Sequence, residues 1–286
     1  MIDFNNVSKT FRRARVLDGI SLKVGLGERV ALIGSNGAGK TTLIRCLLGE
    51  YVHDGVVLID GHDPRRERES VLARVGFVPQ LPPPLKMPVG QLIDFAAALC
   101  RTPATRVHAL AARLGLELAD ILSRPFNRLS GGMKQKLLIA IALGRDAQVL
   151  VMDEPAANLD PQARKIFFEL LAERAEHTTM LISSHRINEV SALVNRVVEL
   201  DMGRVVLDET MANEASLARM CTARVSCHQP EPALAKALGQ WNFRALDDAG
   251  TQWEGEVAGP DRLRFLGTVS RYVAVVSDVS LTENRP

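Results

Sequence analysis

The sequence predicts an α/β fold, a largely parallel sheet with helices between its strands, followed by a small α+β unit. Three observations predict it. The runs Arg29-Val30-Ala31-Leu32-Ile33, Val149-Leu150-Val151-Met152 and Thr179-Met180-Leu181-Ile182 are short and nearly continuously apolar, as strands buried on both faces are. Helical stretches separate them, at 41–48, 134–144 and 161–177. Each run ends in a loop of small or polar residues, and in such sheets ligands sit at the carboxyl ends of the strands.

Composition bounds the rest. The 286 residues suit one large domain or two small ones, and 47% apolar with 24% charged is an ordinary globular mix. That excludes a disordered chain, a fibrous repeat and a disulfide-stapled miniprotein. The net charge of +2 gives no reason to expect a polyanion partner. A single phosphate site stays open, because it needs local donors and not global charge. No run approaches the roughly 18–20 apolar residues that span a bilayer. The opening Met1-Ile2-Asp3-Phe4-Asn5-Asn6 has no basic-then-apolar leader, so no secretory signal is expected. The four cysteines, Cys46, Cys100, Cys221 and Cys227, have no metal-ligand spacing and read as reduced thiols.

In chain order, the first strand run leads into Gly34-Ser35-Asn36-Gly37-Ala38-Gly39-Lys40-Thr41, a full match to GxxxxGK[ST]. Its glycines let backbone N–H groups turn inward as an anion nest, and the following helix adds its positive end. Lys40 supplies a point charge for β- and γ-phosphates, and the Thr41 hydroxyl is the expected Mg²⁺ ligand. An inserted helical subdomain follows over about 82–135; it opens with Pro82-Pro83-Pro84 and has helix-like stretches at 89–99 and 104–114. Near its end comes Leu129-Ser130-Gly131-Gly132-Met133. By itself this is a helix start, with Ser130 as N-cap and Leu137, Leu138 and Ile141 as the apolar face.

The second strand run ends in Asp153-Glu154. Two carboxylates facing a phosphate loop divide the work: Asp153 for Mg²⁺ through its water shell, Glu154 for the attacking water. Asp160 precedes Pro161 and can cap the helix that begins there. The third run ends in Ser183-Ser184-His185. After about Thr210 the pattern changes. The tail reads as strand 223–227, helix 231–240, strands 242–246 and 252–257, helix 260–271 and strand 272–276. That βαββαβ order suits a ferredoxin-like domain. The chain thus divides into domains at 1–210 and 211–286.

In this setting Leu129-Ser130-Gly131-Gly132-Met133 resembles the LSGGQ signature of ABC-transporter nucleotide-binding domains, with Met133 in place of the common Gln. Further motifs of that family follow in order. Gln80 matches the Q-loop, Ala157-Asn158-Leu159-Asp160 the D-loop, and His185, 31 positions after Glu154, the switch histidine. Phe11, 29 positions before Lys40, matches the aromatic residue that stacks on adenine, where Tyr is more usual. Taken alone, Gln80 reads as a surface polar residue, His185 as structural and Phe11 as core. The resemblance covers about residues 1–208.

The resemblance implies a P-loop core of ABC ATPase type that binds ATP and Mg²⁺. Ser35, Asn36, Gly37, Ala38, Gly39, Lys40, Thr41 and Thr42 would hold the nucleotide, with Phe11 against the base. Thr41, Gln80 and Asp153 would serve the metal, and Glu154, His185 and Gln80 the hydrolysis. Ser130, Gly131 and Gly132 would cap the γ-phosphate bound by a second subunit, with Asp160 joining the two protomers. A head-to-tail dimer around two ATP follows, formed by two copies of the chain or with a related one, as does a separate integral-membrane permease that places the chain on the cytoplasmic face of the plasma membrane. The Leu-Ser-Gly-Gly-Met-Lys-Gln wording and the C-terminal extension look like ABC-2-type exporter ATPases. The tail would then be regulatory, dimer-stabilising or a plain structural extension. The alternatives are an importer ATPase and a soluble ABC ATPase acting on DNA or the ribosome. Against the soluble kind stand the single cassette and the absence of a long coiled coil between Lys40 and Asp153.

Overall fold

A computed structural model describes residues 1–185, 190–210, 220–258, 261–269, 272 and 275–283. The chain forms two compact units, Met1–Thr210 and Met211–Pro286.

The first unit carries two sheets. One is antiparallel, in the order β2 (Ala14–Val24), β1 (Ile2–Phe11), β4 (Asp54–Ile59). The other has six strands in the order β5 (Val75–Val78), β6 (Val149–Asp153), β7 (Thr179–Ser183), β3 (Arg29–Ile33), β8 (Arg196–Asp201), β9 (Arg204–Thr210). Every neighbouring pair in it is parallel except β8 with β9. All five residues of β6 and of β7 are buried, as expected of strands covered on both faces. Helix α1 (Lys40–Leu47) packs Leu43, Ile44 and Leu47 into a core shared with Phe4, Leu17, Ile20, Val30 and Val151. Each such side chain contributes about 1.5–3 kcal/mol by leaving water.

The register of the large sheet positions the site. Asp153 of β6 and Leu32 of β3 both pair with Ser183 of β7, and Val78 of β5 pairs with Met152. The loops after β3, β5, β6 and β7 therefore leave the sheet at one level of its carboxyl edge. Beyond the short α2 (Arg68–Ala73) and β5 come α3 (Val89–Cys100), α4 (Ala104–Arg113) and α5 (Gly131–Gly144), with α4 packed on α5. Ser130 caps α5, its Oγ accepting from the Met133 N–H at 3.2 Å, so this helix begins three residues earlier than the apolar pattern suggests. Conversely α6 (Pro161–Ala172) stops short of the expected 177. Its last fully buried side chain is Leu171, and the Arg174 guanidinium then donates to Leu143 O at 2.9 Å and Leu170 O at 3.2 Å, turning the chain. Among the described residues no helix is long and apolar enough to cross a membrane.

The second unit contains β10 (Met220–Cys227), α7 (Pro232–Gly239), β11 (Arg244–Ala245), β12 (Gln252–Ala258), α8 (Arg262–Val269) and β13 (Val276–Glu283). Its sheet order is β11-β12-β10-β13, with all neighbours antiparallel, which is the ferredoxin-like arrangement. The final strand lies later than the expected 272–276, because Val279 and Leu281 are the residues that pair with Val225 and Ala223. The strand expected at 242–246 shrinks to Arg244–Ala245, which stand in ladder register with Glu254 and Trp253 of β12. Of the helix expected at 260–271, Pro260 and Arg271 lie outside the described residues. Phe243 stacks on Phe265, centroids 4.9 Å apart, and a Cβ on Gly255 would lie 2.3 Å from the Phe243 ring. Gly255→Ala should therefore cost about 1–3 kcal/mol by overpacking. Trp241 and Trp253, the chain's two tryptophans, both lie in this unit, so denaturant unfolding followed by their fluorescence measures that loss directly.

Candidate functional site

The loop after β3 turns on Gly39, which sits at φ 109° just ahead of α1. A Cβ there would also lie 2.8 Å from Leu17 Cδ2 and 3.0 Å from Val16 O, so only glycine fits both the backbone and the β2 contact. Inside the loop the Lys40 side chain is buried, its Nζ donating to Gly34 O at 2.7 Å and Ser35 O at 3.1 Å. Ala38 N–H closes the turn onto Ser35 O at 3.1 Å, and Gly203 N–H reaches Ala38 O at 3.1 Å from the β8–β9 turn. The helix α1 begins directly at this loop and presents its positive N-terminal end there. The loop thus brings a lysine and the positive end of α1 together, an arrangement suited to a polyanion.

A cleft of about 290 Å³ opens over this loop, lined by Val16, Asn36, Gly37, Gly39, Lys40, Thr41, Thr42, Gln80 and Glu154. Ser35 and Ala38 shape the loop without lining the cleft. Gln80 arrives from the end of β5 and Glu154 from the end of β6. Glu154 Oε2 lies 3.4 Å from Gln80 Nε2 and 3.4 Å from His185 Nδ1, with the Glu154 side chain only 13% exposed. His185 and Glu154 also line a smaller cavity of about 160 Å³ with Arg164, Phe168, Ser183 and Ser184.

Ser183 holds the acidic turn in place. Its Oγ donates to the buried Asp153 carboxylate at 2.6 Å and accepts the Glu154 N–H at 2.9 Å. Glu154 itself occupies the left-handed region at φ 45°, a conformation uncommon outside glycine and kept by that hydrogen bond. No sequence motif marks Ser183; its place at the end of an apolar strand that pairs with both β3 and β6 is the available signal. The oxygen donors here are the Thr41 hydroxyl, the Gln80 amide and the Asp153 and Glu154 carboxylates. They are hard ligands that fit Mg²⁺, which needs only one or two carboxylates beside phosphate oxygens.

Ser130, Gly131, Gly132 and Asp160 line neither cavity. They form a second assembly at the N-termini of α5 and α6. Asp160 caps α6 by accepting the Ala163 N–H at 2.8 Å, and its other oxygen meets Lys136 Nζ at 2.9 Å. The Ala163 N–H, followed by Lys136, holds the Asp160 carboxyl below the usual carboxylate range. Gln135, fully buried, donates to Pro155 O at 2.9 Å. The glycine-rich start of α5 and the loop from Pro155 to Asp160 are thereby tied together. Phe11 also stands outside the 290 Å³ cleft, at the end of β1 against Tyr51.

Residues 17–157 match a protein family described as ABC transporter. The Nod factor export ATP-binding protein I of Paraburkholderia xenovorans (strain LB400) is 38% identical over 220 residues, which is 72% of this chain and 70% of that protein. A solved structure of an ATP binding subunit of an ABC transporter superposes with a TM-score of 0.67 at 27% identity, covering 74% of this chain and 90% of the other. A bacterial Atm1-family ABC exporter with ATP bound superposes with a TM-score of 0.65 at 28% identity, covering 73% of this chain and 38% of the other.

Proposed function

Because the chain belongs to the family of ABC transporter ATP-binding proteins, we propose that it is the ATP-hydrolysing subunit of an exporter, working as a head-to-tail pair around two ATP molecules to drive a separate membrane permease. The carrying observation is the separation of two assemblies within one chain. Lys40, Gln80 and Glu154 share a cleft, whereas Ser130, Gly131, Gly132 and Asp160 lie elsewhere and line no part of it. A helix N-terminus bearing a hydroxyl and glycine N–H groups is a donor set for phosphate that its own chain's cleft leaves unused. A second subunit supplies its use.

In this reading the loop from Ser35 to Thr42 cradles the phosphates and Phe11 stacks on the adenine. Thr41, Gln80 and Asp153, the last held by Ser183, would serve Mg²⁺. Held there, Mg²⁺ would neutralise charge on the phosphate oxygens. Glu154 orients and deprotonates the attacking water, while His185 contacts the γ-phosphate. Positioning and charge stabilisation supply most of the rate. Asp160 of each protomer contacts the other and couples the two sites.

Gln80 follows β5, which borders a groove of about 1090 Å³ whose lining includes Leu72, Phe77, Leu99, Arg101 and Arg145. Exposed Phe95 and Leu99 stand one helical turn apart on α3. A groove lined by both apolar and charged side chains suits an amphipathic helix, and we assign it to the permease. The chain then sits at the cytoplasmic membrane face through that partner. Export as the direction is supported by the named activity of the Paraburkholderia relative.

Mild-detergent extraction of tagged chain tests this reading. It predicts co-purification of an integral-membrane subunit, and lost recovery of that subunit with Phe95→Asp/Leu99→Asp. Recovery of ribosomes or DNA, with no membrane subunit, would contradict it.

A further inference from the structure

Phe11 does not stand alone. Its ring meets Tyr51 at a centroid distance of 5.2 Å with the planes 80° apart. Lys9 Nζ lies 4.7 Å from the Phe11 centroid and 5.7 Å from that of Tyr51. Tyr51 is anchored in turn: its hydroxyl accepts from Arg45 Nη1 at 2.8 Å, and the Arg45 guanidinium lies 5.5 Å from its ring centroid. Arg45 belongs to α1, the helix that starts at the phosphate loop. A continuous chain of ring and cation contacts therefore runs from α1 to the end of β1. Phe11 still keeps 38% of its surface exposed, enough to receive another flat group.

The physical need for such a chain is plain. An exposed phenylalanine with free rotamers loses conformational entropy when a base stacks on it, and it has no hydroxyl to tether the ring. Ring contacts and cation–π attraction can tether it instead. Tyr51 and Lys9 provide them without lining the phosphate cleft.

We propose that Lys9 and Tyr51 are positioning residues for base recognition, holding the Phe11 ring in the orientation on which a purine stacks and so favouring purine over pyrimidine triphosphates. This rests on the adenine-stacking assignment of Phe11 made above. Purines offer the larger stacking face, so the preference appears in the ratio of two affinities and not in either alone.

The test is calorimetric binding of ATP and of CTP, each with Mg²⁺, to the full chain. Phosphate contacts are common to both, so the ratio of their Kd values isolates the base. Phe11→Ala should weaken ATP about tenfold and CTP less, because the smaller pyrimidine has less stacking face to lose, and so narrow the ratio severalfold. Tyr51→Leu and Lys9→Met should each narrow it about threefold, with CTP affinity little changed. Tyr51→Phe, which keeps the ring, should narrow it less than Tyr51→Leu. If Phe11→Ala narrows the ratio and neither Tyr51→Leu nor Lys9→Met does, the positioning role is overturned and the adenine assignment stands. If Phe11→Ala leaves the ratio unchanged, both fall. Equal weakening of ATP and CTP in Tyr51→Leu, with Lys9→Met unchanged, marks a structural role and also overturns the proposal.

Discussion

Replacing Glu154 with Gln is expected to lower ATP turnover by about 10²–10⁴-fold while leaving ATP bound, the range by which a positioned general base contributes. The substitution is nearly isosteric. It keeps the N–H that donates to Ser183 Oγ at 2.9 Å, so the left-handed backbone at φ 45° is retained. It also keeps an oxygen toward Gln80 and His185, each 3.4 Å from Glu154 Oε2. What it removes is the negative charge and the basic oxygen at the edge of the cleft. Phosphate release measures the loss, and equilibrium binding of ATP measures what survives. Undiminished turnover by Glu154→Gln would remove Glu154 from the chemistry.

Lys40→Ala should act on the other side of the ledger, weakening ATP affinity by about 10- to 150-fold. That corresponds to about 1.5–3 kcal/mol for a hydrogen bond to a charged group. The Lys40 ammonium is buried and held between Gly34 O and Ser35 O at 2.7 and 3.1 Å, so it is already placed before phosphate arrives. Lys40→Arg should not rescue binding, because a planar guanidinium is too wide for a pocket that two loop carbonyls close around a point charge. Calorimetry with ATP and Mg²⁺ checks both variants. Affinity within twofold of the parent chain in Lys40→Ala would mean that the loop's N–H groups alone bind the phosphates.

The parts of the fold that were legible in the sequence share a physical cause. Strands β3, β6 and β7 are buried on both faces and so appear as unbroken apolar runs. The phosphate loop is legible because a tight turn, a cation and a hydroxyl must all fall at fixed spacing. The antiparallel sheet of β1, β2 and β4 was not legible. Register shifts between Phe4 and Val7, Val7 and Lys9, and Lys9 and Thr10 break the two-residue alternation that would betray β1. The order of the tail's elements could be read, but the place of its last strand could not, because only pairing with β10 selects Val276–Glu283.

Within the site, motif residues could be named from the chain, while their supports could not. Ser183 acts on Asp153 from 30 positions away and Tyr51 on Phe11 from a different element, and no local pattern encodes either contact. The pairing of Lys136 with Asp160 likewise exists only after α5 and α6 have packed. Such contacts depend on sheet register and helix packing, which one sequence does not display.

The most direct measurement of the central claim is the mass of full-chain Glu154→Gln in solution, by sedimentation or light scattering, with saturating ATP–Mg²⁺ and then with ADP–Mg²⁺. Two half-sites joined by nucleotide predict a doubled mass with ATP and a single-chain mass with ADP. The doubling should be lost in Glu154→Gln carrying Ser130→Phe, which still binds ATP at its own cleft. A single-chain mass at saturating ATP–Mg²⁺, together with full turnover by the parent chain at the same dilution, would contradict the account.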